Sequence, residues 1–347
     1  MLTGFTDKLR QQLEAIWYAP HHFACYALWP LAKILEMVAH YRYYRFQQQK
    51  KNQRSTPVPL IVIGNLTVGG TGKTPLVIAL VQRLLAEGYR PAVLSRGYAA
   101  QSSQYPIQVS MHSSAHQVGD EPLLIYQQTQ VPVMVDPQRR RALNKLLQQH
   151  SEVDVIISDD GLQHYAMARD LEIVVVDGVR GWGNGLCLPA GPLRESLSRL
   201  KQIDFLVVNG GAIKNFTAMH PQTIAMELQF SGFCFVKNQQ PIALEILQQQ
   251  TNIAIAGIGH PQRFFNDLKK LNLNIQPIIF ADHYRYQVED FKGFPADQWI
   301  IMTEKDAVKC KDFAGPHWVY LKISAHLNDF FWQLLLNQLA QIKKSHL

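Results

Sequence analysis

The chain has 347 residues, a formal net charge of +7 and a hydrophobic content of 47%, which is enough for two packed cores. The positive charge suits nucleic acid, anionic lipid or phosphorylated substrates and does not choose among them. The cysteines are scattered, which excludes a Cys-x-x-Cys metal site and predicts free thiols in a reducing compartment; they are Cys25, Cys187, Cys234 and Cys310. No secretory signal is expected, because no charged region leads into a clean apolar run with a cleavage site.

The first predicted element is an apolar stretch over residues 15–38, which is nearly long enough to span a bilayer. Prolines and polar or charged residues interrupt it, namely Pro20, His21, His22, Pro30, Lys33 and Glu36. A charge at the bilayer centre costs about 2.5–3.5 kcal/mol on insertion scales. A helix that lies in one leaflet therefore fits better than a span.

Aromatic and basic residues follow directly, and they are Tyr41, Arg42, Tyr43, Tyr44, Arg45, Phe46, Lys50, Lys51 and Arg54. Aromatic rings at headgroup depth beside cations are typical of a membrane interface. We therefore expect residues 1–55 to form an N-terminal membrane-associating helical segment. Two alternatives stay open: an amphipathic helix packed on the globular part, and a basic, aromatic RNA-binding arm. The adjoining apolar stretch favours a membrane surface over nucleic acid.

A glycine-rich loop between a predicted strand and a predicted helix is the most informative motif. Its residues are Gly69, Gly70, Thr71, Gly72, Lys73 and Thr74. Glycines let backbone N–H groups approach a triphosphate, and the N-terminus of the following helix adds partial positive charge. Lys73 is expected to reach the β- and γ-phosphates and Thr74 to hold Mg²⁺. The general motif has a glycine where this chain has Thr67, and a glycine-rich turn without a ligand is the alternative.

From Pro59 onward, short β-branched runs alternate with helical stretches. This alternation predicts an α/β fold with a doubly wound, mostly parallel sheet like that of phosphate-loop NTPases. The last predicted elements are a strand at Trp318–Leu321 and a helix from about His326 to Ile342.

The alternation weakens over residues 216–250, where Met226–Phe230 and Gly232–Val236 have the pattern of two short strands. We interpret this region as a junction. The sequence thus predicts a phosphate-loop ATP-binding and catalytic domain over residues 56–225. A smaller C-terminal α/β domain is predicted over residues 226–347, joined by a short β linker.

Two carboxylates, Asp159 and Asp160, end the apolar run Val155–Ile157. Ligands of open α/β sheets bind outside the carboxyl ends of the strands, so a carboxylate there can hold Mg²⁺ beside the phosphate loop. Adjacent side chains on an extended chain point in different directions. One aspartate can therefore bind the metal directly and the other through water, and a solvated turn is the alternative.

Two further residues are candidates for acid–base chemistry. Asp120 opens a predicted helix, where it either caps the helix or takes a proton from an attacking hydroxyl. His283 follows Asp282 just past a strand of the second predicted domain. A histidine paired with a carboxylate is a common acid–base device, and a structural histidine is the alternative.

Several polar residues near these positions are candidates for contacts with phosphate or substrate, namely Gln163, His164, Asn184, Arg194 and Glu195. The basic run Arg139–Arg141 at the start of a predicted helix is a further candidate, although charge runs are usually solvated. Thr303–Asp306 superficially resembles the guanine-reading motif of GTPases, but the order of its residues differs and predicts no guanine specificity.

Taken together, the motifs closely resemble the tetraacyldisaccharide 4'-kinase family of lipid A synthesis. The matching segments run in order along the chain: Val62–Thr74, Ser95–Tyr98, Gly119–Pro122, Ser158–His164, Gly183–Gly185, Leu188–Glu195, Ala256–Pro261, Asp282–His283 and Thr303–Lys309. The family's Asn-Leu-Thr opening of the phosphate loop accounts for Thr67.

This resemblance implies transfer of the γ-phosphate of ATP to the 4'-hydroxyl of a tetraacylated glucosamine disaccharide 1-phosphate. It also implies a requirement for Mg²⁺ and a location at the cytoplasmic face of the inner membrane of Gram-negative bacteria. The expected partners are this lipid and the membrane surface, without nucleic acid, and the expected state is a monomer.

The resemblance implies roles for individual residues as well. Asp120 is then the catalytic base, and His283 assists it across the cleft between the domains. Lys73 and Thr74 bind phosphates and Mg²⁺, and Asp159 and Asp160 serve the metal. Some relatives have Asp-His-His where this chain has a tyrosine at position 284, so the role of Tyr284 stays open.

Two other functions remain alternatives from the residues alone. A membrane-associated ATPase or GTPase switch would hydrolyse nucleotide without a lipid acceptor and would not need Asp120 and His283. A non-enzymatic nucleotide-binding adaptor would lose its function in Lys73→Ala and keep it in Asp120→Ala.

Overall fold

The structure is a computed structural model that describes residues 13–19, 23–50, 56–98, 100–102, 104–295 and 297–346. Several residues of the predicted membrane-associating segment lie outside the described residues, namely residues 1–12, Pro20, His21, His22, Lys51 and Arg54.

One continuous sheet organises the described part of the chain. Its strands are β1 (Leu60–Gly64), β2 (Pro91–Ser95), β3 (Ile107–Gln108), β4 (Val133–Val135), β5 (Val155–Asp159), β6 (Leu171–Asp177), β7 (Phe205–Asn209), β8 (Thr223–Phe235), β9 (Pro241–Ile242), β10 (Asn252–Ala256), β11 (Ile275–Ile279), β12 (Ile300–Thr303) and β13 (Trp318–Leu327). Their spatial order is β11-β10-β12-β13-β8-β7-β6-β1-β5-β2-β4-β3, and β9 pairs with β8. All neighbours along this order are parallel except β13 with β8 and β3 with β4, so the predicted mostly parallel α/β sheet is confirmed.

Helices connect the strands: α1 (Phe23–Lys50), α2 (Lys73–Ala86), α3 (Ala115–Val118), α4 (Asp120–Thr129), α5 (Arg139–Gln149), α6 (Leu244–Gln248), α7 (Pro261–Lys270), α8 (Glu304–Cys310) and α9 (Asp329–His346). Short 3₁₀ turns occur at Leu197–Gln202, Ile213–Asn215 and Val288–Phe291, and residues 13–18 are also helical.

The central strands are buried on both faces. Successive β1 side chains point to opposite faces, so Ile61 joins one apolar cluster and Val62 another. Leu80 of α2 lies in the first cluster and Leu146 of α5 in the second. Helices therefore cover both faces, and the continuous apolar runs of the sequence are explained by this double burial.

Two long antiparallel strands, β8 and β13, join the halves of the sheet. The two short strands predicted at Met226–Phe230 and Gly232–Val236 are one strand, because Gly232 continues it opposite Lys322 of β13. β13 likewise runs on to Leu327, so the final helix begins at Asp329 rather than at His326. Long-range pairing extended both strands beyond their local patterns.

The predicted domain boundary between residues 225 and 226 falls within β8. The C-terminal half has apolar clusters of its own around Ile255 and Phe265. However, α9 returns to the first half, where the Phe331 ring packs 5.3 Å from that of Phe205. The division into two domains stays a prediction.

Helix α1 touches the rest of the protein along one stripe. Cys25, Ala32 and Phe46 are buried, with the spacing of one helix face. The remaining surface exposes large apolar side chains, namely Phe23, Tyr26, Trp29, Leu31, Ile34, Leu35, Met37, Val38, Tyr41 and Tyr44. Among the described residues, no helix combines the length and hydrophobicity that crossing a bilayer requires.

The C-terminal part of α1 docks on a buried charge cluster. Glu172 pairs with Arg199 at 2.6 Å and with Arg169 at 3.0 Å. The guanidinium of Arg199 lies 4.3 Å from the ring centre of Tyr43, and that of Arg169 lies 4.8 Å from the ring centre of Phe46. Because these cations are shielded from water, their stacking on the aromatic rings of α1 is strong. This stacking fixes α1 against the segments that carry Arg169 and Arg199.

Candidate active site

The loop after β1 is shaped to receive phosphate. Gly69 and Gly72 have backbone φ angles of +102° and +93°, which residues with a Cβ rarely adopt. A Cβ at Gly72 would also collide with the amide of Asn209, which donates to the carbonyl of Thr71 at 3.0 Å. Gly72 is the N-cap of α2, so the loop leads directly into a helix N-terminus with free N–H groups.

Lys73 begins α2 and turns back over the loop. Its Nζ donates to Oδ1 of Asn65 at 3.1 Å and pairs with Asp160 at 3.4 Å. Arg194 approaches the same carboxylate at 3.3 Å. Burial acts to raise the pKa of Asp160, but these two cations outweigh it and lower the pKa to about 2. Asp160 is therefore an ionised partner of both cations.

Asp159 differs from its neighbour. It is paired in register with Ile63 of β1, so it ends at the same sheet edge as the phosphate loop. Its side chain is buried, and neither carboxylate oxygen has a hydrogen-bond partner among the described residues. Burial, with the negative charges of Glu121 and Asp160, raises its pKa to about 7. A buried carboxylate without a partner is the environment expected where a cation completes the site.

The structure brings the two acid–base candidates together. Asp120 is the first residue of α4, and His283 lies in the loop after β11. Nδ1 of His283 is 2.9 Å from Oδ2 of Asp120, although the residues are 163 positions apart. His283 has a φ of +59°, and its backbone N–H donates to the carbonyl of Gly257 at 3.2 Å. The ring of Tyr98 packs against that of His283 with 5.1 Å between centres.

The two partners shift each other's pKa in opposite directions. Burial would raise the pKa of Asp120, but the charges of Lys305, His283 and Lys309 hold it well below its usual range. Burial would lower the pKa of His283, but the hydrogen bond and charge of Asp120 raise it above its usual value. The pair therefore keeps a carboxylate able to accept a proton and an imidazole that donates to it.

A cavity of about 400 Å³ opens beside the pair. Asp120, His283, Tyr98, His112 and Arg285 contribute to its lining. Its volume lies within the range of small-molecule sites, and its polar lining suits a hydroxylated ligand.

The remaining predicted contact residues divide into two groups. Gln163 lies at the loop, where its amide donates to the carbonyl of Asn65 at 3.1 Å and its oxygen faces Arg194 at 3.5 Å. His164 follows it, and burial with nearby arginines lowers the pKa of His164 to about 4. Its uncharged ring and the Gln163 amide both border the loop that carries Asp160.

Asn184 and one carboxylate oxygen of Glu195 form hydrogen bonds within the protein. The amide of Asn184 donates to the carbonyl of Ala190 at 2.8 Å, and its oxygen accepts from the N–H of Leu186 at 3.1 Å. Glu195 is buried and accepts a hydrogen bond from the hydroxyl of Tyr165. Their predicted substrate contacts stay a prediction, and these bonds favour a role in shaping the loop. The sequence left the role of Tyr284 open, and in the structure its hydroxyl donates a hydrogen bond to the carboxylate of Asp290 at 3.0 Å.

Sequence reasoning missed two asparagines that organise the phosphate loop. Asn65 holds both Lys73 and the carbonyl of Thr67, the latter at 2.6 Å, and Asn209 holds the carbonyl of Thr71. Both lie at the carboxyl ends of parallel strands, β1 and β7, which is the signal that could have identified them. Arg139 was considered for phosphate, but it is buried and donates to the backbone carbonyl of Asp159 at 2.9 Å.

The chain has a doubly wound sheet, a phosphate loop that leads into α2, and a carboxylate–histidine pair at the start of α4, which packs against α2. These features define the chain as a phosphate-loop phosphotransferase. Residues 24–340 match the family model LpxK, described as tetraacyldisaccharide-1-P 4'-kinase. The chain belongs to this family, which confirms the resemblance found in the sequence, and it is accordingly an ATP-dependent kinase.

Curated relatives match over nearly their whole length. The tetraacyldisaccharide 4'-kinase of Psychromonas ingrahamii is 44% identical over 331 residues, which cover 94% of this chain and 99% of that protein. The enzyme of the same name from Vibrio cholerae is 42% identical over 340 residues, which cover 96% of this chain and 98% of that protein. A crystal structure of LpxK from Aquifex aeolicus in complex with ATP superposes with a TM-score of 0.75 at 27% identity, covering 92% of this chain and 99% of that one.

Proposed function

We propose that the protein transfers the γ-phosphate of ATP to the 4'-hydroxyl of tetraacyldisaccharide 1-phosphate, the acceptor named for its family. The observation that carries the proposal is the contact between Asp120 and His283 at the edge of a cavity of about 400 Å³. An ATPase or GTPase switch has no need of this pair, whereas a kinase needs a group that accepts the proton of its acceptor hydroxyl.

In the proposed reaction, the backbone N–H groups of the loop and Lys73 hold the phosphates of ATP. The 4'-oxygen attacks the γ-phosphorus while its proton passes to the carboxylate of Asp120. The bond between the γ-phosphorus and the bridging oxygen breaks, and ADP leaves. His283 donates from Nδ1 to Asp120 and so fixes the direction in which the carboxylate faces.

The residues present also fit Mg²⁺. In nucleotide sites this ion uses one or two carboxylates together with phosphates and water, and the unpartnered buried carboxylate of Asp159 supplies such a ligand. Thr74, buried at the start of α2, would hold the ion through its hydroxyl. Asp160 would act through Lys73 and Arg194, with which it pairs. When bound, the ion neutralises charge on the phosphates.

The acceptor carries four acyl chains, and each buried CH₂ is worth about 0.8 kcal/mol, so it stays in the bilayer. We therefore propose that α1 lies in the cytoplasmic leaflet of the inner membrane and brings the site to the lipid. The exposed apolar face of α1 supports this. One chain supplies both the loop and the acid–base pair, which is consistent with a monomer.

The test of the reaction is transfer of label from γ-labelled ATP to tetraacyldisaccharide 1-phosphate in detergent micelles with Mg²⁺. We expect labelled lipid and ADP in equal amounts, because the cleft directs the phosphate to the acceptor. Hydrolysis of ATP without labelled lipid would contradict the kinase function and favour the switch.

Membrane binding has a separate expected result. Replacing Trp29 and Ile34 by Glu should lower partitioning into phosphatidylglycerol-containing vesicles at least tenfold, since burying each side chain is worth about 1.5–3 kcal/mol. Flotation of the full chain with vesicles measures this. Ile246→Glu changes an exposed apolar residue of α6 and serves as the matched control. Equal flotation of the double variant and the control would contradict the proposed role of α1.

A further inference from the structure

The segment Thr303–Lys309 belongs to the matched motifs, and the reaction as derived above uses none of it. Lys305, the second residue of α8, reaches out of the C-terminal half to α4. Its Nζ lies 2.7 Å from Oε1 of Glu121, the residue that follows Asp120. The two side chains are 24% and 23% exposed, so the pair is partly screened from water.

Hydrogen bonds and an ion pair hold the start of α8 in place, and they therefore fix the position of the Lys305 backbone. Thr303 caps the helix by accepting from the N–H of Asp306 at 3.2 Å. The buried carboxylate of Asp306 accepts from the N–H of Gly257 at 3.0 Å and pairs with Lys309 at 2.7 Å. The carbonyl of Gly257 in turn accepts from the N–H of His283, so α8 and His283 share one support.

Several charged groups surround Asp120. Lys305 and Lys309 face it from α8, His283 faces it from the loop after β11, and Glu121 follows it on α4. The charge of Lys305 is the largest single contribution that opposes the effect of burial on the pKa of Asp120, and it also acts to lower the pKa of His283. The position of this one ammonium group therefore bears on both members of the pair.

We propose that Lys305 is a positioning residue for the phosphoryl transfer. By pairing with Glu121 it fixes the first turn of α4 against α8, and it places a positive charge near the carboxylate of Asp120 that faces His283. This rests on the proposed function of Asp120 as the base. In this role Lys305 acts through Glu121 and the Asp120–His283 pair rather than by contact with substrate or nucleotide.

Lys305→Met removes the charge and keeps most of the length, Lys305→Arg keeps the charge, and Glu304→Gln is the matched control. Glu304 precedes Lys305 on α8 and accepts from Gln128 of α4 at 3.1 Å, so its variant perturbs the same helix interface away from Asp120. The readouts are kcat, the KM for ATP, and the pH profile of kcat/KM for lipid phosphorylation by the full chain.

For Lys305→Met we expect kcat to fall by about 10- to 100-fold, as for a misplaced reacting group, with little change in the KM for ATP. The acid limb of the pH profile should move to higher pH, because a cation that lowers the pKa of Asp120 is lost. Lys305→Arg keeps the positive charge, so its kcat and the position of its acid limb should stay close to those of the wild type. Glu304→Gln should keep the wild-type acid limb.

An acid limb that stays in place in Lys305→Met, or equal losses in Lys305→Met and Glu304→Gln, would overturn the inference. Asp120→Asn in the same assay separates the two levels of the proposal. Full activity of Asp120→Asn would refute the base itself. Loss of activity in Asp120→Asn with wild-type behaviour of Lys305→Met would refute the role of Lys305 alone.

Discussion

Asp120→Asn is expected to lower kcat for lipid phosphorylation by about 10²- to 10⁴-fold, the usual contribution of a general base. The amide keeps the shape of the carboxylate and its place at the start of α4 but cannot accept the proton of the 4'-hydroxyl. The KM for ATP should change little, because the phosphate loop and Lys73 lie on other elements. Initial rates of label transfer at varied ATP and lipid concentrations measure both quantities.

Glu289→Gln provides the control for charge alone, since it removes an exposed carboxylate whose ion-pair partner among the described residues is the exposed Lys292. Its kcat should equal that of the wild type. Because the pKa of Asp120 lies below its usual range, its carboxylate is ionised and able to accept a proton at the neutral pH of the assay. Wild-type kcat in Asp120→Asn would remove Asp120 from the mechanism and leave only the favourable placement of its charge in the first turn of α4, after the N-cap Gly119.

The phosphate loop shows how far local sequence reaches. An apolar run, three glycines and an amphipathic stretch define strand, turn and helix within some 25 residues, and the structure has β1, Gly72 as N-cap and α2 in those places. The mostly parallel sheet follows in the same way from repeated apolar runs. Each of these features depends on neighbours in the chain, so the sequence alone suffices for it.

Features that depend on contacts between distant parts of the chain were harder to predict from the sequence. The two-strand pattern around Gly232 became one strand because β13 pairs along its full length, which the local pattern cannot encode. Similarly, the sequence leaves Asp159 and Asp160 equivalent. Only their surroundings separate them, since Lys73 and Arg194 pair with Asp160, whereas the carboxylate of Asp159 has no hydrogen-bond partner in the described part of the chain.

The acid–base pair lies between these cases. Asp120 and His283 were identified as separate candidates, and their assignment to one mechanism came from the family resemblance. Their contact at 2.9 Å depends on the packing of α4 against α8 and on the loop after β11. The sequence analysis gave Lys305 no role, because its partner Glu121 lies 184 positions away and the local motif does not indicate the pairing.

Lys73→Met is expected to lower kcat/KM for ATP by about 10²- to 10³-fold, the usual effect of removing one donor that stabilises charge in the transition state. Its Nζ is the cation that turns back over the loop, and the side chain is only 10% exposed. Arg194 still pairs with Asp160 in the variant, so the carboxylate keeps one partner and the fold should survive.

Lys343→Met is the matched control, because Lys343 also forms an ion pair, with Asp154 at 2.8 Å, next to the start of β5 and away from the loop. Thermal unfolding of both variants checks that each is folded, and label transfer then compares their kcat/KM values. We expect the loss in Lys73→Met alone. At the phosphate loop, the two variants differ only in the ammonium group of Lys73, which Lys343→Met keeps and Lys73→Met lacks. Equal activity of the two variants would therefore mean that backbone N–H groups and other cations hold the phosphates.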